Sequence, residues 1–356
     1  MAIIDNPSKT AFNNVLYTGT GSSQNIAVGF QPDMTWVKNR IDGNSSGSGT
    51  HNHRMINSVT GRTQLQSSNL VNVGADSSYF GNFHSNGFNV YQAQDTNIAT
   101  GTFASWSWKA GTSFSNSAGA NGASIASTGS VNTASRFSIV EWTPTDTSTP
   151  ETIYHGLGVK PDVIFVKNIE RNVDWAVYDG SIGATYGLKL NTTATKSDDN
   201  GFWEDTEPTS SIFTTGNGAS YTTGAATEKF IAYCWASVPL YSKFNKYVGN
   251  ASTDGTFVQL DFSPALVIVK KTAGTGAWFM KDSKLNPFNP AEATLATDSA
   301  SSSAGWGAGD DIDLLSNGFK MRDDTANINT NGDTYMYMAW AATPFVTSSG
   351  VPATAR

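Results

Sequence analysis

The chain has 356 residues, of which only 14% are charged and 12% are aromatic, and it contains 34 glycines. This composition is typical of short β-strands joined by turns, because a helical protein carries more Ala, Glu, Lys and Leu. A net charge of −7 argues against a nucleic-acid-binding protein, whose phosphate contacts need clustered Lys and Arg. The sequence has no run of about 18 apolar residues, so we expect no membrane insertion.

One pattern occurs three times along the chain. A proline starts an apolar run that ends six residues later in a lysine, and the three pairs are Pro32 and Lys38, Pro161 and Lys167, and Pro264 and Lys270. An aromatic strand follows each run and ends in a tryptophan, at Trp108, Trp235 and Trp340. The spacings from proline to tryptophan are 76, 74 and 76 residues. Two unlike motifs at one spacing indicate an internal repeat.

We therefore predict an all-β fold of three tandem β-sandwich domains of jelly-roll type, each of about 100 residues. The predicted segments are an N-terminal arm over 1–11, repeat 1 over 12–109, a linker over 110–136, repeat 2 over 137–237, repeat 3 over 238–345 and a C-terminal tail over 346–356. The linker consists mainly of Ser, Gly, Ala, Asn and Thr, a composition that favours an extended segment able to re-orient its flanks. Repeats 2 and 3 are joined tightly and are expected to form a rigid pair.

Within each repeat the first two strands are expected to form a hairpin that leads to the proline. The apolar run after it predicts a strand covered on both faces, with proline at its start, where a missing N–H is tolerated. We expect the lysine that ends the run to extend to solvent. An Asn-Gly-Phe turn feeds the next strand at Phe88 and Phe319, whereas Ile212 and Phe213 take this place in repeat 2 because Asn200-Gly201-Phe202 comes too early.

Residues able to carry chemistry are sparse. The one-letter codes of His51-Asn52-His53 spell the name of a class of nucleases. The segment follows a Gly/Ser-rich loop, however, and we expect an exposed polar loop there. The four histidines have no zinc-ligand spacing, and Cys234, the one cysteine, is expected to be buried and inert. Acidic clusters near Asp198, Asp310 and Asp323 could hold calcium, although solvated loop charge is the simpler interpretation. We predict no catalytic, cofactor or metal site.

Loop aromatics offer another kind of site. Tyr79, Phe83, Trp203 and Trp306 are expected to be exposed and could stack on sugar rings of a host-surface glycan. Packing within their own loops is the alternative.

Several segments resemble a family of repeat proteins of tailed phages, especially those of marine bacteria, usually described as tail-fibre or virion-associated proteins. The resemblance covers about 300 of the 356 residues and is closest in repeat 1. The similar segments are Gly29-Phe30-Gln31-Pro32-Asp33, Trp36-Val37-Lys38-Asn39-Arg40, Asn57-Ser58-Val59 with Gly61-Arg62, Asn86-Gly87-Phe88, Trp106-Ser107-Trp108-Lys109-Ala110-Gly111, and the end from Met338 to Phe345 with Pro352 to Arg356. The resemblance implies a virion protein assembled in the bacterial cytoplasm, which agrees with a single cysteine.

Three functions follow as hypotheses. The first is a non-enzymatic phage structural protein, a tail-fibre, head-fibre or adhesin component that contacts other virion proteins and the host. The resemblance also implies a homo-oligomer, with trimers usual in phage fibres. The second is a capsid decoration protein that stabilises the head. The third is a glycan-binding or glycan-degrading enzyme, which would need paired carboxylates across a cleft; no glutamate recurs between the repeats to supply them.

Overall fold

A computed structural model describes residues 4, 7–41, 51–70, 72–75, 78–146, 148–217, 219, 221–224, 226–302 and 309–342. These residues form short antiparallel strands, as the sequence predicted. Two four-residue helices, α1 Pro7–Thr10 and α2 Asn200–Trp203, accompany them. Within the described ranges, no helix is long and apolar enough to cross a membrane.

The strands of repeat 1 are β1 Phe12–Thr18, β2 Gln24–Ala27, β3 Met34–Ile41, β4 Arg54–Asn57, β5 Gly61–Leu65, β6 Asn72–Ala75, β7 Phe80–His84, β8 Gly87–Val90 and β9 Thr102–Trp108. Between repeats 1 and 2 lie β10 Thr112–Asn116, a 3-10 turn Ala120–Gly122 and β11 Ser127–Asn132. The strands of repeat 2 are β12 Phe137–Trp142, β13 Thr152–Tyr154, β14 Val163–Asn168, β15 Ala176–Asp179, β16 Tyr186–Lys189, β17 Ser197–Asp198, β18 Ile212–Thr214 and β19 Phe230–Trp235. Those of repeat 3 are β20 Ser242–Val248, β21 Phe257–Gln259, β22 Pro264–Lys271, β23 Trp278–Asp282, β24 Leu295–Ala296, β25 Ile312–Leu315, β26 Gly318–Met321 and β27 Thr334–Ala341.

The same strand order recurs in each repeat. A large sheet places the first strand beside the last, followed by the proline-run strand and its successors, in the orders β1-β9-β3-β4-β5-β6, β12-β19-β14-β15-β16-β17 and β20-β27-β22-β23-β24. A small sheet pairs the second strand with a later one, in the orders β2-β8-β7, β13-β18 and β21-β26-β25. The prediction that the first two strands of each repeat form a hairpin is therefore wrong, because they lie in different sheets. The Ile212–Thr214 strand of repeat 2 thus takes the place of the Asn-Gly-Phe strand, as the spacing predicted.

Each repeat is a sandwich with its own hydrophobic cluster between the large and small sheets. In repeat 1, for example, Phe88 of the small sheet packs with Val37 and Phe103 of the large sheet. Corresponding clusters fill repeats 2 and 3. The proline-run strands are buried along their length in repeats 2 and 3, which confirms that both of their faces are covered.

The other faces of the three large sheets share one central cluster, which takes residues from every repeat. The three closing tryptophans, Trp108, Trp235 and Trp340, contact one another there, with ring centroids 5.3 to 6.1 Å apart. Three equivalent side chains in mutual contact place the repeats around one approximately threefold axis. The repeats therefore form a single body, and the prediction of a repeat 1 that re-orients freely is wrong.

The predicted linker over 110–136 is also corrected. Its strands β10 and β11 form a hairpin, and β11 pairs with β12 from Ser127 opposite Trp142 to Asn132 opposite Phe137. The hairpin thereby extends the large sheet of repeat 2 to eight strands. Part of the predicted arm is ordered as well, because α1 is followed by a hydrogen bond from Ala11 N to Pro7 O (2.8 Å) and Ile4 packs against the central cluster. The predicted tail over 346–356 lies outside the described residues.

Candidate functional site

Two of the predicted glycan-contact residues lie on the surface of repeat 1. Tyr79 and Phe83 are half-buried and both pack against the cluster of that repeat. The guanidinium of Arg54 lies 4.1 Å from the centre of the Tyr79 ring, an arrangement typical of a cation–π contact. Each ring therefore keeps part of its surface free while its position is fixed from beneath.

The other two predicted contacts do not join them. Trp203 is only 1% exposed, so its expected exposure is wrong. It lies in α2, whose N-terminus is capped by Asp199 accepting a hydrogen bond from Gly201 N at 2.8 Å, and this turn folds Trp203 onto Tyr178 of the large sheet. Polar neighbours in the sequence hide that packing. Trp306 lies outside the described residues.

The His51-Asn52-His53 segment is internal, which corrects the expectation of an exposed loop. His51 Nδ1 lies 3.1 Å from Asp95 Oδ1, and Arg54 forms a 2.6 Å ion pair with the other Asp95 oxygen. Burial alone would raise the pKa of Asp95, but hydrogen bonds and charges from His51 and Arg54 lower it. His53 Nδ1 accepts a 2.8 Å hydrogen bond from Trp36 Nε1. Burial holds the pKa of His53 well below its ordinary value, with Lys38 lowering it further. These side chains are therefore engaged with one another inside repeat 1.

The three lysines that end the proline runs are fully buried, so the prediction that they extend to solvent is wrong. Each ammonium donates to a backbone carbonyl of a neighbouring repeat. Lys38 donates to Ala300 O of repeat 3 at 2.8 Å, Lys167 to Leu70 O of repeat 1 at 2.9 Å and Lys270 to Thr193 O of repeat 2 at 3.1 Å. Burial lowers their pKa values to about 7, 8 and 8. The lysines join the repeats in a closed ring.

Each joint also has a polar residue at one equivalent position, opposite the second residue after the proline in the paired strand. These residues are Asn57, Asp179 and Asp282. Asn57 donates to Tyr233 OH of repeat 2 at 3.0 Å. Asp282 accepts from Trp106 Nε1 of repeat 1 at 2.7 Å and from Asn14 at 2.9 Å. Asn57 and Asp282 are therefore used in contacts between repeats.

Asp179 breaks this pattern. By strand register, the residues equivalent to Trp106 and Asn14 at its joint are Met338 and Phe244 of repeat 3, and neither side chain can donate a hydrogen bond to a carboxylate. Asp179 Oδ1 accepts from Ser181 N at 2.7 Å, while the buried Oδ2 has no partner among the described residues. Burial raises the pKa of Asp179 to about 6.

The acidic clusters are occupied by their own loops. Asp310 accepts hydrogen bonds from Thr325 Oγ1 and from Asn327 Nδ2, and Asp323 accepts from Asp311 N at 2.6 Å. In the parts of the chain that the structure covers, no group of three or more His, Cys, Asp or Glu side chains is placed to hold a metal ion. Cys234 is buried, as predicted, and burial raises the pKa of its thiol to about 12.

A groove lies at the joint between repeats 2 and 3. It encloses a cavity of about 550 Å³ and is lined by Arg136, Ser237, Pro239, Leu240, Ser242, Lys243, Leu260 and Asp261. Arg136 donates to Ser237 O and Lys243 donates to Gln259 O at 2.8 Å. The groove thus combines an apolar lining with two anchored cations and one carboxylate, Asp261.

Phe288 is the most exposed large hydrophobic residue that the structure describes, with 82% of its surface accessible. It lies in the loop between β23 and β24, which we call the Phe288 loop (residues 283–294). Phe288 is not among the residues predicted from the sequence. Its flanking prolines, Pro287 and Pro290, were the available signal, because they favour a rigid turn, but they do not reveal which way the ring points.

Comparison with known proteins adds a family. A family model described as a domain of unknown function (DUF7483) matches residues 6–344. A search of the curated proteins finds no match. The matched range includes all three repeats and the hairpin between repeats 1 and 2.

Proposed function

Since the chain belongs to the DUF7483 family of domains of unknown function, we propose from its own residues that it is a non-enzymatic structural protein of a bacteriophage particle. In this proposal it is a tail-fibre, head-fibre or adhesin component displayed on the particle surface. The virion location is supported by the resemblance of the Pro-Asp and Trp-ending segments to phage repeat proteins.

The observation that carries the non-enzymatic proposal is the use made of the ionisable side chains. Lys38, Lys167 and Lys270 donate to carbonyls of neighbouring repeats, and Asp282 accepts from another repeat. An enzyme needs such groups free to reach a substrate. Here they lie inside the body and hold its parts together, which is the use expected when shape is the function.

The arrangement also suggests how the protein would act. Three sandwiches fixed around one axis form a rigid support, and loops on such a support are the usual position of contact residues. Tyr79 and Phe83 are the aromatic residues we assign to contact with a host-surface glycan, through the parts of their rings that stay accessible. Other virion proteins, of the tail or the capsid, would bind elsewhere on the body.

Locating the protein in a cryo-EM map of the purified phage particle tests the proposal. Density at the tail or at a vertex fibre would support the fibre role, whereas density spread over the shell would replace it with capsid decoration. Absence of the protein from particles, checked by mass spectrometry, would refute the virion proposal. Breakdown of a host polysaccharide by the purified protein would refute the non-enzymatic one. Tyr79→Ala together with Phe83→Ala should weaken adsorption to host cells without changing particle assembly.

A further inference from the structure

We propose that copies of this chain associate head to tail, with Phe288 of one copy inserted into the groove between repeats 2 and 3 of the next. The inference concerns contact between copies and goes beyond the proposed virion role, because it applies to the purified chain.

The Phe288 loop is an addition specific to repeat 3. Equivalent connections run from Asn57 to Leu65 in repeat 1 and from Asp179 to Leu188 in repeat 2, which are steps of 8 and 9 residues. The step from Asp282 to Leu295 is 13 residues. The other large hydrophobic residues that the structure describes as exposed are accessible to between 43% and 53%, against 82% for Phe288. The extra residues therefore present an aromatic ring to the outside.

The loop is rigid at both ends of the exposed ring. Asn286 Nδ2 donates to Ala293 O at 2.9 Å, and Asn286 Oδ1 accepts from Ala293 N at 2.8 Å. Asn289 Nδ2 donates to Leu314 O at 3.0 Å, and Leu314 N donates back to Asn289 Oδ1 at 2.9 Å. A ring held in position before binding loses little conformational freedom when it is buried by a partner.

The same hydrogen bonds indicate what kind of surface receives the ring. A sugar site needs polar side chains to bind hydroxyl groups beside the aromatic face. The amides of Asn286 and Asn289 are already used within the loop, and Pro287 and Pro290 have no N–H to donate. An apolar socket on a protein is therefore the surface that fits Phe288.

This chain carries such a socket. The groove is lined by Pro239, Leu240 and Leu260, and its cavity of about 550 Å³ is well above the roughly 150 Å³ that accommodates benzene in an apolar protein cavity. The groove also holds two cations, Arg136 and Lys243, against one carboxylate, Asp261, so its net charge is positive. Asp261 Oδ1 accepts a 2.6 Å hydrogen bond from Gln259 Nε2. The exposed Glu292 follows Phe288 by four residues. A contact that buries the ring would therefore also bring opposite charges together.

The positions of ring and groove favour contact between different copies. The Phe288 loop is hydrogen-bonded to Leu314 of β25, whereas Leu260 directly follows β21. These strands are the two edges of the small sheet of repeat 3, whose order is β21-β26-β25. A ring on one edge and a socket at the other form a heterologous contact, which continues from copy to copy until it closes.

Disulfide trapping between variants that each add one cysteine provides the direct test. Pro287→Cys, an exposed position that leaves the Phe288 ring in place, and Leu240→Cys are purified separately, mixed and oxidised, and the products are separated without reductant. We expect a mixed dimer that exceeds at least tenfold the one formed by Pro287→Cys with Val248→Cys, a matched exposed position (53% accessible) outside the groove. The native Cys234 does not interfere because it is buried. Equal yields with both partners would overturn the proposal.

Sedimentation equilibrium on chains without an introduced cysteine gives an independent measure of self-association. The wild-type mass should rise with protein concentration, and Phe288→Ser should weaken self-association at least tenfold while its circular dichroism and melting curve stay unchanged. Glu292→Lys should weaken it as well, and Lys243→Glu combined with Glu292→Lys should restore it. A wild-type chain that remains monomeric up to about millimolar concentration, or a Phe288→Ser variant that associates like wild type, would overturn the proposal. Binding of Phe288 to another virion protein without self-association would overturn the assignment of a second copy.

Discussion

Replacing Asp179 by Asn should stabilise the protein at neutral pH. The wild-type carboxylate is buried at the joint of repeats 2 and 3 and has one oxygen without a described partner. At the equivalent position of repeat 1 the chain already has an amide, Asn57. An Asn side chain at 179 keeps an oxygen for the hydrogen bond from Ser181 N and removes the buried charge.

The magnitude follows from the pKa. Burial raises the pKa of Asp179 from its ordinary 3.8 to about 6, while Ser181 and Lys246 lower it and Asp162 raises it slightly. Between these two values the folded chain binds more protons than the unfolded chain, so wild-type stability falls as the pH rises from about 4 to about 6. Two pKa units correspond to about 3 kcal/mol. The gain from Asp179→Asn should therefore be near zero at pH 4 and reach about 2–3 kcal/mol at pH 7.

Urea unfolding of both proteins at pH 4, 5, 6 and 7 measures this difference, and the pH dependence of all other groups cancels in the comparison. Asp282→Asn is the matched control, because Asp282 accepts from Trp106 and Asn14 at the corresponding joint. Losing that acceptor should destabilise the protein by about 1–3 kcal/mol. A gain from Asp179→Asn that is absent, or the same at pH 4 and pH 7, would refute the reasoning.

Three further predictions concern the body as a whole. Trp108→Ala should cost about 3–5 kcal/mol and leave a single calorimetric transition, because the central cluster joins all three repeats; separately melting repeats would contradict this. Limited proteolysis with thermolysin should spare the strands β10 and β11, which are paired in the sheet of repeat 2, and a first cut within either strand would restore the linker hypothesis. Phe288→Ser should change the unfolding free energy by less than about 0.5 kcal/mol, whereas Phe319→Ser, at 0% exposure, should cost at least about 3 kcal/mol; comparable losses in urea unfolding would show that Phe288 is packed.

The strand framework could be predicted because it depends on local patterns. A short apolar run that begins with proline, in a chain rich in turn residues, favours a strand covered on both faces, and the near-constant distance to Trp108, Trp235 and Trp340 indicates that the same chain path is repeated. The replacement of the Asn-Gly-Phe strand in repeat 2 could also be predicted, because Ile212 lies at the expected distance before the closing tryptophan and Asn200 does not. What the spacing does not contain is how the repeats pack against one another.

The wrong predictions all concern contacts between segments that are distant in the sequence. Lys38 was expected at the surface because the carbonyl that receives its ammonium belongs to Ala300, 262 residues away. The hairpin over 110–136 was read as a linker because its residues are small and polar. Its place in the sheet depends on tertiary fit: a Cβ atom at Gly129 would lie 2.2 Å from Ile139 O and 2.6 Å from the Phe114 ring. Neither the distant carbonyl that binds Lys38 nor the close packing at Gly129 can be recognised from a short segment of sequence.

Closure of the ring also bears on how the chain is made. Asn14 near the start hydrogen-bonds to Asp282, 268 residues later, so the inward face of repeat 1 has no partner from repeat 3 until most of the chain has been translated. At 5–20 residues per second, that delay is about 10–50 s on the ribosome. During this time the aromatic face around Trp106 and Trp108 is open to other nascent chains. Closure by the last repeat is what removes this face from contact with solvent and with other chains.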